Sequence, residues 1–273
     1  MKKLFKGIVT LALCATLGAA ATSLASCKDP YTITVGASPT PHTEILKNAV
    51  AQELEKEGYK LKVVEYTDYV QPNLALEAGD IDANYFQHNI YLKDFNEERG
   101  THLTAVANVH YEAFGIYRGS YEEGALADIP EGSKVLVPND GTNEARALFL
   151  LQDAGLITLK ESVTYSGATK NDVAENPKNL NIIEIEAAQI PLSLPDAAIG
   201  VVNGNYALQN ELPEAVRYEN IPESEQEQYV NVIAVKAGNE ESEKTKALVK
   251  AILSDAVKSY VQQTYNGSVI CVF

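Results

Sequence analysis

Cysteine is scarce in this chain, with three in 273 residues, at Cys14, Cys27 and Cys271. So few thiols cannot staple a small disulfide scaffold, so stability has to come from packing. Cations are scarce too: 22 Lys and Arg stand against 37 Asp and Glu, a net charge of −15. That balance excludes nucleic acid and an anionic membrane surface as partners. Past the N-terminal region there is no apolar run approaching the ~20 residues that span a bilayer, so the body of the chain is not expected to cross one. The signatures of catalysis are missing as well. There is no Gly-x-Ser-x-Gly elbow, no His-Glu-x-x-His and no phosphate loop ending in Gly-Lys-Ser/Thr, and His42, His88, His102 and His110 have no metal-ligand spacing. No enzyme, metal site or cofactor is expected. No repeat of 20–50 residues is present either.

What the chain does have begins at its N-terminus. Lys2, Lys3 and Lys6 precede an uncharged run from Ile8 to Ala21, followed by Leu24-Ala25-Ser26-Cys27. A run of 14 residues is too short for a membrane span and fits a secretory signal peptide. The Leu-Ala-Ser-Cys ending resembles a bacterial lipoprotein box, in which the cysteine is lipidated and becomes the new N-terminus. The expectation is a signal peptide over 1–26, lipidation at Cys27 and a short tether over 27–30. Loss of 1–26 removes three lysines and no acids, leaving a net charge of −18 on a body held in the cell envelope by its lipid alone. Cys14 leaves with the leader and Cys27 carries lipid, so Cys271 is left without a disulfide partner.

Along the body, strand and helix signals alternate. Thr32–Gly36 alternates as a strand, Leu46, Val50 and Leu54 recur at helical spacing up to Gly58, and residues 60–66 read as a second strand. Helix candidates follow at 68–78, 91–99, 142–154 and from about Asn205, with 242–253 and 255–265 at the end. Strands are expected at 81–85, 134–137, 181–185 and 197–202. Such alternation predicts an α/β fold with mostly parallel sheets flanked by helices. There are too many strands for one sheet, so two lobes are expected, with a first crossover in 113–128 and a return near 229–235. This places one lobe over 31–115 and 232–273 and the other over 116–231.

Parallel sheets bind ligands beyond the carboxyl ends of their strands. Those positions hold Phe86, Gln87 and His88 after Tyr85, then Asn139, Thr142, Asn143 and Arg146 after Val137, then Asn203 and Asn205 after Val202. Arg146 falls in the predicted first turn of a helix, against the macrodipole, where a carboxylate ligand would satisfy it. Its removal is expected to leave folding intact. Tyr66, Tyr69, Tyr85 and Phe86 can wall an apolar side chain, and Asn231, in an otherwise apolar strand, is a buried amide suited to a ligand ammonium.

Several blocks carry a resemblance. They are residues 35–42 (Val-Gly-Ala-Ser-Pro-Thr-Pro-His), 68–73 (Asp-Tyr-Val-Gln-Pro-Asn), 79–88 (Gly-Asp-Ile-Asp-Ala-Asn-Tyr-Phe-Gln-His), 137–148 with Val-Pro-Asn-Asp and Thr-Asn-Glu-Ala-Arg-Ala-Leu, 175–180 and 202–207. Together they resemble the methionine-binding lipoproteins of bacterial ABC importers and the related NlpA lipoproteins, over essentially the whole mature chain. The resemblance implies a type II-like, two-lobed periplasmic-binding fold that closes on methionine or a close derivative. It also implies delivery to an importer permease and its ATPase by a monomer that carries no cofactor. Carried over by position, it puts Tyr69, Phe86 and His88 around the side chain, Arg146 on the carboxylate, and Asn143, Asn203 and Asn231 on the polar head. Tyr66 and Asn205 are further candidates. One departure is Cys271, where the family has proline after Val-Ile. Relatives take L-methionine, its D-enantiomer or a short methionine peptide. The alternatives are an envelope lipoprotein for another small amino acid or methionine peptide, a surface lipoprotein outside transport, and an envelope enzyme acting on amino-acid derivatives.

Overall fold

The computed structural model describes residues 29–273. The expected signal peptide, the lipidation site Cys27 and the start of the tether lie outside the described residues. Thirteen strands occur among those residues: β1 (Thr32–Ala37), β2 (Lys60–Glu65), β3 (Ala83–His88), β4 (Leu103–Glu112), β5 (Gly115–Arg118), β6 (Lys134–Pro138), β7 (Thr158–Leu159), β8 (Val173–Glu175), β9 (Asn181–Ile185), β10 (Ile199–Val202), β11 (Arg217–Tyr218), β12 (Asn231–Lys236) and β13 (Val269–Cys271). They form a six-stranded sheet in the order β13-β4-β12-β3-β1-β2, a five-stranded sheet in the order β11-β5-β10-β6-β9, and a small β7-β8 hairpin. This is a mixed α/β, two-lobed architecture. The chain leaves the first sheet at Glu112, enters the second at Gly115, and is back in the first at Asn231.

Both large sheets are more mixed than the alternation of strands and helices suggests. β1 pairs in parallel with β2 and β3, and β6 with β9 and β10. The strands next to the crossovers run the other way: β12 is antiparallel to β3 and β4, and β5 to β10 and β11.

The elements follow from local chemistry. Leu46, Val50 and Leu54 are all fully buried against the first sheet, each contributing roughly 1.5–3 kcal/mol. The helix Gln71–Ala78 starts with proline near its N-terminus and ends at Gly79, whose φ of 79° is a left-handed cap. The helix Asn89–Arg99 is capped by His88, whose side chain accepts from the Tyr91 amide. Near the C-terminus the helix Glu243–Ile252, capped by Ser242, buries Ala247, Leu248, Ala251 and Ile252 in the first lobe's core. A separate core centred on Val135, Leu148, Leu151 and Val201 holds the second lobe. Among the described residues no helix is long and apolar enough to cross a membrane.

Candidate binding site

Between the two sheets lies a cavity lined by residues from both lobes. Tyr69, Phe86, Gln87, His88, Tyr91, Glu112 and Asn231 come from the first lobe, and Asn143, Arg146, Asn203, Gly204 and Asn205 from the second, with Phe114 on the crossover between them. Direct bonds cross the cleft. Tyr69 Oη donates to Asn205 Oδ1 at 2.6 Å, and Tyr206 Oη donates to the Thr67 carbonyl at 3.2 Å. The Tyr69 and Tyr206 rings stack at 5.0 Å. This is a closed conformation.

The apolar end is a cage of rings. Tyr69 lies 5.8 Å from both Phe86 and Tyr91, and Phe86 and Tyr91 meet edge to face at 6.1 Å. A thioether or aliphatic chain gains both burial and ring contact there. Phe86 points into the cavity while its neighbour Tyr85, on the opposite face of β3, enters the first lobe's core, as strand alternation requires.

The polar end is organised from the helix Gly141–Asp153. Its N-cap Asp140 accepts from the Asn143 amide at 3.1 Å and from Asn143 Nδ2 at 2.7 Å, which fixes that side chain. The Asn143 oxygen then accepts from His88 Nε2 at 3.2 Å and from Asn203 Nδ2 at 3.3 Å. His88 Nδ1 is taken by the Tyr91 amide at 3.1 Å, so Nε2 carries the proton. Burial, with Arg146 nearby, lowers the His88 pKa to about 3, and the imidazole is neutral. Two buried amide atoms have no partner, the acceptor Asn203 Oδ1 and the donor Asn205 Nδ2. Leaving a buried polar atom unpaired costs about 1–3 kcal/mol, so each is suited to a polar ligand group.

Arg146 is not where the sequence suggests. It is the sixth residue of its helix, in the second turn, beyond the reach of the N-terminal dipole. What demands a partner is burial, since only 3% of the residue is exposed. Its Nε donates to Glu219 Oε2 at 2.7 Å and its Nη2 to Glu219 Oε1, and Nη2 also donates to the Glu112 carbonyl at 2.8 Å. Burial opposes its charge, but Glu219 outweighs that and raises the Arg146 pKa, so it remains cationic. Phe114 and Tyr229 lie on the guanidinium at 4.2 and 4.6 Å. Glu219 in turn accepts from Tyr111 Oη at 2.6 Å and from the Phe114 amide at 2.7 Å. The two-toothed edge of Arg146 thus grips Glu219 and the crossover, and Nη1 makes none of these bonds. The expectation that removing Arg146 spares folding is therefore corrected.

Two further placements differ from expectation. Tyr66 does not line the cavity; its ring covers Gly36 and packs with Leu76 and Ile81 in a small core. Asn139 and Thr142 are also outside the wall, whereas Asn205 is in it. Asn231 Oδ1 already accepts from His42 Nε2 at 3.0 Å, so its free end is the Nδ2 donor, which suits a carboxylate and not an ammonium.

Sequence reasoning passed over Tyr91, Glu112, Phe114 and Gly204. Among the described residues, Glu112 is the only carboxylate in the cavity wall. Burial raises its pKa, against the pull of His42 and Arg146. Gly204 is there because a Cβ would sit 2.8 Å from that of Glu112. Behind Glu112 the fold assembles His42 and His110, whose ring nitrogens lie with a Glu112 oxygen inside 4.8 Å. His42 lies far in sequence from the His110 and Glu112 pair, which is why no three-ligand spacing shows there. A cation could use the trio only by displacing the His110–Glu112 and His42–Asn231 hydrogen bonds.

Comparison with known proteins accords with this geometry. The methionine-binding lipoprotein MetQ of Bacillus subtilis is 36% identical over 277 residues, covering 100% of this chain and 99% of its own. The D-methionine-binding lipoprotein MetQ of Escherichia coli is 42% identical over 89% of each chain. Among solved structures, a putative lipoprotein from Ruminococcus gnavus is 52% identical with a TM-score of 0.84, covering 89% of this chain and all of that one. A nutrient-binding protein from Burkholderia cenocepacia bound to methionine is 40% identical with a TM-score of 0.81, covering 88% of this chain and 100% of its own. The NlpA lipoprotein family matches residues 33–273, and the chain belongs to that family.

Proposed function

We propose that this protein is the substrate-binding component of an importer, capturing methionine between its lobes and presenting it to a membrane permease. It is a binding protein, not an enzyme. One observation carries the reading: a closed cavity between two sheets joins a cage of rings to a polar end where Asn203 Oδ1 and Asn205 Nδ2 stand unpaired. An acceptor and a donor a few residues apart match the two ends of a zwitterionic head group. Arg146 Nη1, Asn205 Nδ2 and Asn231 Nδ2 face the carboxylate, Asn203 Oδ1 and Glu112 the ammonium, and Tyr69, Phe86, Tyr91 and His88 the thioether chain. Asn143 acts by holding His88 and Asn203. Because these groups come from both lobes, only the closed state makes the full set of contacts, so the ligand selects it.

A lipid on Cys27 would tether the protein to the envelope, facing outside the cytoplasm, as the Leu-Ala-Ser-Cys box supports. Docking to a permease and its ATPase is supported by kinship with the substrate-binding protein of a methionine transporter from Streptococcus pneumoniae, 34% identical with a TM-score of 0.83. Calorimetric titration of the mature chain with L-methionine, D-methionine and a panel of other amino acids tests the assignment. Saturable one-to-one binding of a methionine enantiomer, with alanine and glutamate inert, is expected. Absence of binding to either enantiomer, in protein first unfolded and refolded to release any ligand, overturns it.

A further inference from the structure

Three buried side chains behind the cavity take no direct part in the site as described, and all of them converge on Glu112. His110 Nε2 meets Glu112 Oε1 at 2.5 Å, and His110 Nδ1 meets Tyr85 Oη, also at 2.5 Å. His42 Nε2 lies 3.6 Å from the same Glu112 oxygen and 3.0 Å from Asn231 Oδ1. Tyr85 and His110 are 0% exposed and His42 1%. With Glu112 ionised, the protons have one consistent arrangement. A carboxylate oxygen accepts only, so His110 Nε2 carries its proton and donates to Glu112; Nδ1 is then bare and accepts from the Tyr85 hydroxyl. His42 must likewise donate from Nε2, since both neighbours of that nitrogen are acceptors, and its Nδ1 is left buried without a partner. The chain of donors runs one way, from the first lobe's core toward the ligand.

We propose that Tyr85, His110 and His42 are positioning residues that hold Glu112 as an oriented acceptor in the cavity wall, and that Glu112 so held makes the site selective for ligands with a free ammonium group. The inference rests on the amino-acid reading above. Its physical basis is that Glu112 is buried, with 5% exposure, and a buried carboxylate is tolerated only when paired and hydrogen-bonded. His110 donates to one oxygen, with His42 nearby, and the Asn205 backbone amide also bonds the carboxylate. The other oxygen lies beside Gly204, where a Cβ would come within 3.0 Å of Oε2. An incoming ammonium supplies the opposite charge that the neutral imidazoles lack. A compound of the same shape without that group leaves the carboxylate without a counter-charge and is rejected. The site thereby separates free amino acids from desamino and N-acylated compounds, a distinction that the ring cage cannot make.

The test compares methionine with its desamino analogue, 4-(methylsulfanyl)butanoate, by calorimetry on the whole mature chain. Wild-type protein is expected to prefer methionine by ~100-fold, the size of a charge-assisted contact made or missed. Tyr85→Phe removes one hydroxyl while keeping the ring, and is expected to reduce that preference by ~5-fold; His110→Leu should reduce it by ~10-fold or more. In both, affinity for the desamino analogue should change by less than about twofold, because the groups holding its carboxylate and thioether are untouched. Thermal melts establish that each variant is folded, and Tyr85→Phe, the milder change, carries the test if His110→Leu does not fold. Equal losses for the two compounds, or an unchanged preference ratio, overturn the relay while leaving the methionine reading intact. Wild-type protein that binds neither compound overturns both.

Discussion

Arg146 shows how one side chain can be judged correctly as to neighbourhood and wrongly as to reason. A buried guanidinium that grips a buried carboxylate is held by coupling, and removing one partner strands the other. Arg146→Ala is therefore expected to lower unfolding free energy by ~3–5 kcal/mol and to abolish methionine binding. Pairing Arg146→Met with Glu219→Gln removes both charges and should recover most of the stability but none of the affinity. Guanidinium denaturation and calorimetry on the same samples separate the two effects; a stable Arg146→Ala protein with weakened binding would mean that Glu219 finds another partner. His42 makes a second test at this scale. Burial lowers its pKa to about 4, against ~6.5 in an unfolded chain. Between those values the unfolded state takes a proton that the native state refuses, so the His42 contribution is complete above pH ~6.5 and is lost as pH falls toward 4. At up to ~1.4 kcal/mol per pH unit the loss approaches ~3 kcal/mol. His42→Leu should flatten the profile by about that much relative to wild type in denaturation series between pH 7 and pH 4.5; parallel profiles would refute the assignment.

At the scale of elements, the polar end of the cavity depends on how the helix Gly141–Asp153 begins. Asp140 both caps the helix and ties down the Asn143 amide, so Asp140→Ala is expected to cost ~1–2 kcal/mol of stability. It should also weaken methionine binding several-fold, since Asn143 no longer holds His88 and Asn203 in place. Asp140→Ser, which keeps a cap but not the reach to Asn143 Nδ2, should recover stability more than affinity; equal recovery of both would show that the cap alone matters. This helix was legible in the sequence because Leu148 and Leu151 recur at helical spacing and Gly155 follows. The strands β6 (Lys134–Pro138) and β10 (Ile199–Val202) were legible as compact apolar runs, and β3 in part, since it runs on from the expected end at Tyr85 to His88 and so carries Phe86, Gln87 and His88 within the strand. These supplied Phe86, His88, Asn143, Arg146 and Asn203 to the candidate site. The ten-residue β4 (Leu103–Glu112) was not legible. Its partners β12 and β13 lie more than a hundred residues downstream, and its own run is diluted by alanine, asparagine and histidine, which carry little strand preference. Missing β4 meant missing Glu112, and with it the meeting of His42, His110 and Tyr85, which only the pairing of distant strands produces. Tyr66 failed for the opposite reason: it sits at a strand end, but beside β2 at the sheet edge, where its ring covers Gly36 and not the cleft.

For the whole molecule, closure is the property on which transport depends. Beyond the bonds beside the crossover, where Arg146 donates to the Glu112 carbonyl and Tyr111 to Glu219, the lobes are joined by few direct bonds, chiefly Tyr69 to Asn205, Tyr206 to Thr67 and His88 to Asn143, while each lobe has its own core. Hydrogen bonds contribute about 0.5–1.5 kcal/mol each, so these few cannot by themselves outweigh the loss of hinge freedom and the burial of two unpaired amide atoms. Ligand supplies the remainder by pairing those atoms and filling the cage. Two measurable consequences follow from the same linkage. Ligand at 1,000 times its Kd adds ~4.1 kcal/mol to unfolding, which for a body of this size raises Tm by roughly 8–16 °C. The same ligand should compact the protein in small-angle scattering, because it stabilises the closed state alone. In Tyr69→Phe the ring cage is intact but the lobe-to-lobe bond to Asn205 is gone. That variant should bind methionine more weakly and, at matched fractional saturation, still reach the same compact form. A variant that binds but stays expanded would show that the Tyr69 bond, and not the ligand, holds the lobes together.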